Sequence, residues 1–289
     1  MAVETLTARN ATADKPRLNL NVDGDTVTLD REECLRLGRE LHEDYVGNRP
    51  YPHIVVDNLF PAAALRRVVD EFPAREAGRF SDEHSNLKTG YQMEKIRSRY
   101  ITNFLNMLNS SQFLGFLEEL TGIRGLLTDP HFAGGGLHET ARGGHLSIHA
   151  DFNIHPTLHV RRRMNLIVFL NEHWKEDYGG HLELWERDMS ACGKKVLPVL
   201  GRAVVFNTES DSYHGHPDPT TSPESVFRRS MALYYYTAPE SVGERTRTTE
   251  FKVRPGSADK PPSLTGRIRE LGQDLTPPLV ARWLKRRRR

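Results

Sequence analysis

Cysteines and long apolar runs are scarce in this 289-residue sequence. The two cysteines, Cys34 and Cys192, are far apart and form no C-x-x-C pattern, which argues against a disulfide framework and favours reduced thiols in a reducing compartment. No apolar run reaches the length of a transmembrane helix, and the first 20 residues are polar where a signal peptide would need an apolar core. We therefore expect a soluble, cytoplasmic protein.

A strong overall charge is also absent, since the formal net charge is +2. The last nine residues, ARWLKRRRR, contribute six positive charges, so the rest of the chain carries a net charge of −4. A slightly acidic body argues against a nucleic-acid partner and confines any affinity for anionic surfaces to the C-terminus. Residues 279–289 are expected either to contact an anionic membrane, such as the inner membrane surface, or to serve as a solubilising tail.

The length and the 37% hydrophobic content fit one large domain with appendages. Residues 1–20 lack periodicity and predict a flexible N-terminal arm. Residues 21–240 are expected to form a single catalytic domain with a β-rich core at about 125–238. Residues 241–289 are polar, then Pro-rich and basic, and predict a linker followed by a C-terminal tail or helix.

The N-terminal half of the domain has a mixed pattern. The segment NVDGDTVTLD predicts a hairpin about an Asp-Gly turn, and residues 31–48 predict an amphipathic helix. Residues 51–73 predict a strand and then a helix that starts at Pro61. Residues 74–95 are charged and predict a loop, either folded over a site or without fixed structure. Apolar spacing over residues 99–120 predicts two packed helices.

The pattern changes after Asp129-Pro130 to short strands separated by Gly and Pro turns. Apolar or alternating strands are predicted in RRRMNLIVFLN, HLELWE, KKVLPVLGRAVVFNT and RRSMALYYYT. Strands at this spacing favour a sandwich or barrel over a parallel α/β sheet. The predicted class is mainly β with flanking helices (α+β), with the N-terminal helices packed outside the β core.

The stretch HLSIHADFNIH, from His145 to His155, carries the most chemistry. Strict alternation would place its polar residues on one face of a strand, which by itself is typical of any half-exposed strand. The step His149-x-Asp151 favours a metal site, because a period of two places an imidazole and a carboxylate side by side within reach of one cation. A third ligand could come from His214 or His216 downstream. Such a set can hold Fe(II) with an open face, and zinc can use the same ligands.

A basic residue follows on a later strand. Arg228 and Ser230 share a face of RRSMALYYYT, and a guanidinium there could bind a carboxylate through two hydrogen bonds.

In this order the blocks GGGLHET, HLSIHADFNIH, RRMNLIVFLNEHW, YGGHLELWE, SYHGHPDP and RRSMALYYYT resemble the iron(II)- and 2-oxoglutarate-dependent oxygenases, in the prolyl-4-hydroxylase-like branch. The resemblance covers about residues 125–238, and weakly residues 51–73. It implies a distorted double-stranded β-helix (jelly-roll, cupin-like) core. It also implies Fe(II), 2-oxoglutarate and O2 as reaction partners, with ascorbate as a supporting reductant.

The resemblance also assigns residues. It implies His149, Asp151 and His214 as iron ligands, with His216 the alternative to His214. Arg228 would bind the far carboxylate of 2-oxoglutarate with help from Ser230, and Arg229 is the alternative. Asn165 would supply a polar contact to the co-substrate. The candidates for the substrate pocket are His138, Glu139, Arg163 and Trp174, each of which could instead serve a turn, a solvated strand end or packing.

The implied reaction hydroxylates an unactivated C–H bond while 2-oxoglutarate is decarboxylated to succinate and CO2. The substrate could be a peptidyl proline or other side chain, a sugar or lipid-linked glycan, or a small natural product, because variable loops build the substrate pocket. The competing reading is a non-oxygenase metal-binding jelly-roll protein holding zinc or manganese, which would need the triad but not Arg228. The sequence does not indicate an oligomeric state.

Overall fold

The computed structural model describes residues 4–6, 15–75, 85–91, 93–241 and 243–259. The first elements are strand β1 (Glu4–Leu6), the hairpin of β2 (Leu20–Asp23) and β3 (Thr26–Leu29), helix α1 (Arg31–Gly47), strand β4 (His53–Val56) and helix α2 (Ala62–Asp70). The predicted hairpin, amphipathic helix and strand–helix pair are confirmed. Asp30 begins α1 by accepting a hydrogen bond from the Glu33 N–H.

Part of the segment expected to be a free arm is packed on the domain. Leu18 is fully buried, and the backbone N–H groups of Arg17 and Leu18 donate to the carbonyls of Asn58 and Leu59. Strand β1 pairs in parallel with a later strand at Lys194–Val196. Backbone pairing therefore holds these pieces although their sequence has no periodicity.

The next elements are strand β5 (Ser85–Tyr91), a short 3-10 helix (Met93–Lys95), and helices α3 (Arg99–Leu108) and α4 (Ser111–Thr121). The two helices match the prediction. Strand β5 does not, because residues 74–95 were expected to form a loop. This polar segment is extended because the edge of a long neighbouring strand supplies its hydrogen bonds, and such tertiary pairing overrides weak local preference. Residues 76–84 of the same segment lie outside the described residues.

The remaining strands form the β core. They are β6 (Leu127–Thr128), β7 (Gly136–Ala150), β8 (Arg161–Phe169), β9 (Leu182–Trp185), β10 (Cys192–Val196), β11 (Ala203–Asn207), β12 (His214–His216), β13 (Arg228–Thr237) and β14 (Glu250–Phe251). The order in the main sheet is β1-β10-β9-β12-β7-β13-β8-β11-β4, with β5 and β14 also on β7 and β6 on β13. This nearly closed sheet is a distorted double-stranded β-helix, and the predicted fold class is confirmed.

The helices cover one outer face of the sheet. Alternate residues of β8, β11 and β13 point toward α1, α3 and α4 and join the largest apolar cluster. The opposite residues of the same strands point into the barrel, where a second cluster includes Phe169, Leu184 and Phe206. This alternation leaves the polar residues of β7, β12 and β13 around an internal cavity at one end of the barrel.

The chain after residue 240 also contacts the core. Strand β14 pairs with β7 at His149 and Ala150. Part of residues 243–259 is therefore hydrogen-bonded to the main sheet, whereas a linker was expected. Residues 260–289, with the basic tail, lie outside the described part. None of the helices in the described part of the chain combines the length and the hydrophobicity of a transmembrane span.

Candidate active site

Three side chains meet in the cavity: His149 near the end of β7, Asp151 just after it, and His214 at the start of β12. One potential ligand atom from each lies within 4.8 Å of the others. The His149 Nε2 is 3.7 Å from Asp151 Oδ1, and the His214 Nε2 is 3.4 Å from Asp151 Oδ2. All three residues are buried, with exposed fractions of 6%, 9% and 5%. His149 and His214 come together because β7 and β12 pair directly at these two residues.

The two imidazoles are oriented by their own strands. His149 Nδ1 lies 2.8 Å from the Ser147 carbonyl oxygen, and His214 Nδ1 lies 3.0 Å from the Ser212 carbonyl oxygen. A carbonyl can only accept, so each Nδ1 carries the hydrogen and each Nε2 keeps its lone pair. Both lone pairs therefore face the carboxylate of Asp151, which is the arrangement a metal ligand needs.

The electrostatics of the cluster favour the ligand forms. Burial lowers the pKa of His149 to about 3, with the charge of His214 adding to the effect, and burial also lowers the pKa of His214. Burial alone would raise the pKa of Asp151, but Arg162 and the two imidazoles outweigh it and hold that pKa below its usual range. Two neutral nitrogens and one carboxylate fit a divalent cation such as Fe(II).

Two further side chains hold Asp151. Asn165 Nδ2 donates to Asp151 Oδ2 at 2.8 Å, and Arg162 Nη2 lies 2.9 Å from the same oxygen. Arg162 also donates to Asn165 Oδ1, and its guanidinium stacks 3.5 Å from the centre of the Tyr234 ring. Asn165, expected to contact the co-substrate, here bonds to Asp151.

A β-bulge explains why Arg162 occupies this place. Along β13, Tyr235 pairs with Met164 but Tyr236 pairs with Arg162, so Arg163 is the extra residue on β8. A bulge turns the side chains beyond it to the other face of the sheet. Arg162 thereby enters the cavity together with Asn165, whereas Arg163 contacts Thr237 outside it.

A second bulge lies in β7 itself. His214 pairs with His149 while His216 pairs with Leu146, so β7 carries one extra residue between these positions. The strict alternation expected for residues 145–155 is therefore broken. Leu146 lines the cavity with His149 and Asp151, while His145 and Ser147 line a separate surface groove.

One end of the cavity, on β13, is cationic. Arg228 is 6% exposed, donates from Nε to the Gly180 carbonyl at 2.6 Å, and lines the cavity together with Ser230. Burial lowers the pKa of Arg228, because the guanidinium has no carboxylate beside it in the described part of the chain. The alternative, Arg229, points away from the cavity and bonds to Glu139 at 2.8 Å.

The other candidates divide between the cavity and the outside. His138 and His216 line the cavity, although His216 is not part of the three-residue cluster. Glu139 faces the opposite side of β7, where it pairs with Arg229. Trp174 donates to the Gly179 carbonyl and packs in an apolar cluster with Leu197. The structure therefore does not bring Glu139, Arg163 or Trp174 to the site.

Sequence reasoning did not single out three polar residues that line the cavity: Lys88 on β5, Arg162 on β8 and Tyr234 on β13. Arg162 was one of three consecutive arginines, and only the bulge distinguishes it from its neighbours. Lys88 carried no recognisable signal, because its segment was expected to be a loop.

Comparison with known proteins agrees with this geometry. Residues 135–236, which include His149, Asp151, His214 and Arg228, match the sequence model of the 2OG-Fe(II) oxygenase superfamily. The chain carries a 2OG-Fe(II) oxygenase domain. No curated protein sequence matches the chain significantly.

Solved structures similar to this oxygenase include a prolyl hydroxylase from Trichoplax adhaerens in complex with a hypoxia-inducible-factor peptide fragment. It has 15% identity and a TM-score of 0.51, with 71% of this chain and 91% of that chain covered. A prolyl-4-hydroxylase from Pseudomonas putida shows 19% identity and a TM-score of 0.46 over 70% and 99% of the two chains. HygX from Streptomyces hygroscopicus, solved with nickel, 2-oxoglutarate and hygromycin B, shows 12% identity and a TM-score of 0.45 over 72% and 88%. At 15% identity and a TM-score of 0.51, the similarity to the Trichoplax adhaerens structure concerns the fold alone.

Proposed function

We propose that this oxygenase uses His149, Asp151 and His214 to hold Fe(II), and Arg228 with Ser230 to bind the far carboxylate of 2-oxoglutarate. The observation that carries the proposal is the cluster of two Nε2 lone pairs and one carboxylate in a cavity that is also lined by a buried guanidinium. Fe(II) with 2-oxoglutarate and O2 supplies the oxidation of a substrate C–H bond to C–OH, and 2-oxoglutarate leaves as succinate and CO2. The chain orients the reactants and excludes water.

Each residue has a defined task in this proposal. The Ser147 and Ser212 carbonyls fix the imidazole rings, and Asn165 with Arg162 fixes the carboxylate of Asp151. The guanidinium of Arg228 is held by Gly180 through Nε, so its two Nη nitrogens are available to a carboxylate. Burial strengthens these contacts because little water competes for them.

Arg228 separates this function from the metal-binding alternative. A non-catalytic jelly-roll protein needs the triad but has no use for a buried guanidinium facing the cavity, and an unpaired buried cation is costly. We therefore prefer the oxygenase.

The substrate is proposed as a peptide side chain, a sugar or a small natural product. A peptide substrate is supported by the similar prolyl hydroxylase from Trichoplax adhaerens, which was solved in complex with a peptide fragment. A cytoplasmic location is supported by the two free thiols, Cys34 and Cys192. Membrane contact through residues 279–289 is a further proposal, and deletion of those residues should abolish sedimentation with anionic vesicles.

The central test is anaerobic addition of Fe(II) and then 2-oxoglutarate to the wild-type protein and to Asp151→Ala. We expect a weak visible charge-transfer band in the wild type and none in the variant. Arg228→Ala should keep metal binding and lose the band at 2-oxoglutarate concentrations that saturate the wild type. A wild-type protein that binds Fe(II) but gives no band would favour the metal-binding alternative.

A further inference from the structure

The cationic end of the cavity contains a second positive side chain that the family match does not include. Lys88 lies on β5, outside residues 135–236. It pairs with Thr140 of β7 from one side, and Arg228 of β13 pairs with Thr140 from the other. The three residues therefore form one row across three strands, and residues in one row of a sheet point to the same face.

The side chains of Lys88 and Arg228 converge in the cavity. Both line it, and neighbouring strands are about 4.8 Å apart, so the two Cα atoms are separated by roughly 10 Å. Both side chains extend from these positions toward the same space.

This end of the cavity contains donors without acceptors. Lys88 Nζ makes no hydrogen bond or ion pair within the described chain, and neither do the two Nη nitrogens of Arg228. The Nδ1 of His216, a 4% exposed residue that also lines the cavity, has no partner. Among the described residues lining the cavity, Asp151 is the one carboxylate, and it is already bonded to Arg162 and Asn165.

The positive charges of Lys88 and Arg228 are energetically unfavourable in the cavity without a bound ligand. Burial lowers the pKa of Lys88 to about 8, and the neighbouring charge of Arg228 lowers it in the same direction. An anion bound between the two cations would remove both effects, because it restores a partner to each in a site where water is scarce.

We propose that Lys88 is a second residue binding the far carboxylate of 2-oxoglutarate, which it holds from the β5 side while Arg228 holds it from the β13 side. The inference rests on the proposed function and adds a co-substrate-binding residue to it. One carboxylate has lone pairs for both partners and for the hydroxyl of Ser230. The pair makes the site selective for 2-oxo diacids over 2-oxo monoacids, because a methyl group in place of the carboxylate leaves both Lys88 and Arg228 without an anionic partner in the cavity.

The test compares two 2-oxo acids of equal chain length. Dissociation constants for 2-oxoglutarate and for 2-oxopentanoate, which has a methyl group at C5, are measured anaerobically on Fe(II)-loaded wild type and Lys88→Met. We expect Lys88→Met to weaken 2-oxoglutarate binding by about 10- to 100-fold and to leave 2-oxopentanoate binding unchanged. Lys88→Arg should recover most of the selectivity, which a purely structural role would not predict.

Controls separate the possible failures. Lys15→Met removes an exposed lysine and should match the wild type in both constants. Metal binding, measured with Mn(II), reports whether each variant is folded, and Lys88→Gln replaces Lys88→Met if the latter fails to bind metal. Unchanged 2-oxoglutarate affinity in a metal-binding Lys88 variant would overturn the inference and leave the proposed function standing. Wild-type protein that binds metal but not 2-oxoglutarate would overturn the proposed function as well.

Discussion

Gly215, between His214 and His216, offers a sharp test of how β12 and β7 build the metal site. An alanine Cβ at this position would lie 2.8 Å from the carbonyl oxygens of Leu146 and Ser147, about 0.6 Å closer than the 3.4 Å of ordinary contact. Both contacts are with backbone, which cannot rotate away. The Ser147 carbonyl is also the hydrogen-bond acceptor that orients His149. Gly215→Ala should therefore displace a group that positions a metal ligand.

We expect two effects of Gly215→Ala. Overpacking of this kind costs about 1–3 kcal/mol of unfolding free energy. Displacing the carbonyl that orients His149 should weaken metal binding by about 10- to 100-fold, as losses of such supporting contacts do. Urea denaturation of the metal-free protein measures the first effect, and titration with Mn(II) measures the second.

Gly47→Ala is the matched control, since no atom lies within 4 Å of its added Cβ and it ends helix α1. It should be neutral or stabilise by up to roughly 1 kcal/mol, with metal binding unchanged. Wild-type stability and metal affinity in Gly215→Ala would refute the claim that close approach of β12 to β7 positions the ligands.

Three further predictions concern the ligands and their surroundings. His214→Ala should abolish stoichiometric metal binding whereas His216→Ala should retain it, because only His214 lies in the cluster with His149 and Asp151, and equilibrium dialysis distinguishes the two. Arg162→Leu should weaken metal binding by about 10- to 100-fold while Arg163→Leu leaves it unchanged, because the bulge puts only Arg162 on Asp151; equal effects would contradict the bulge assignment. The metal-free protein should lose stability as pH falls below about 6.5, because burial, followed by the charge of Lys88, holds the pKa of His138 well below its ordinary value. Below this pH, His138 is protonated in the unfolded chain but stays neutral in the folded chain. The free energy of unfolding therefore falls by up to about 1.4 kcal/mol per pH unit for this histidine, and His138→Leu should have a shallower pH profile of urea unfolding.

Local patterns in the sequence determined much of the helical layer and the chemistry of the triad. The apolar spacing of residues 99–120 encodes α3 and α4, and Asp30 marks the start of α1, because helix formation depends on residues close in sequence. The step His149-x-Asp151 is equally local. Its association with a later histidine and an arginine came from the resemblance of these sequence blocks, in this order, to the oxygenase family.

The tertiary structure alone decided which polar side chains face the cavity. The direction of a side chain on a strand depends on register, which is a property of two paired strands, and a single bulged residue reverses it. The bulge at Arg163 turns Arg162 and not Arg163 onto Asp151, and the bulge in β7 removes Ser147 from the cavity and admits Leu146. Lys88 reaches the site because β7 offers an edge to a polar segment with no strand pattern of its own.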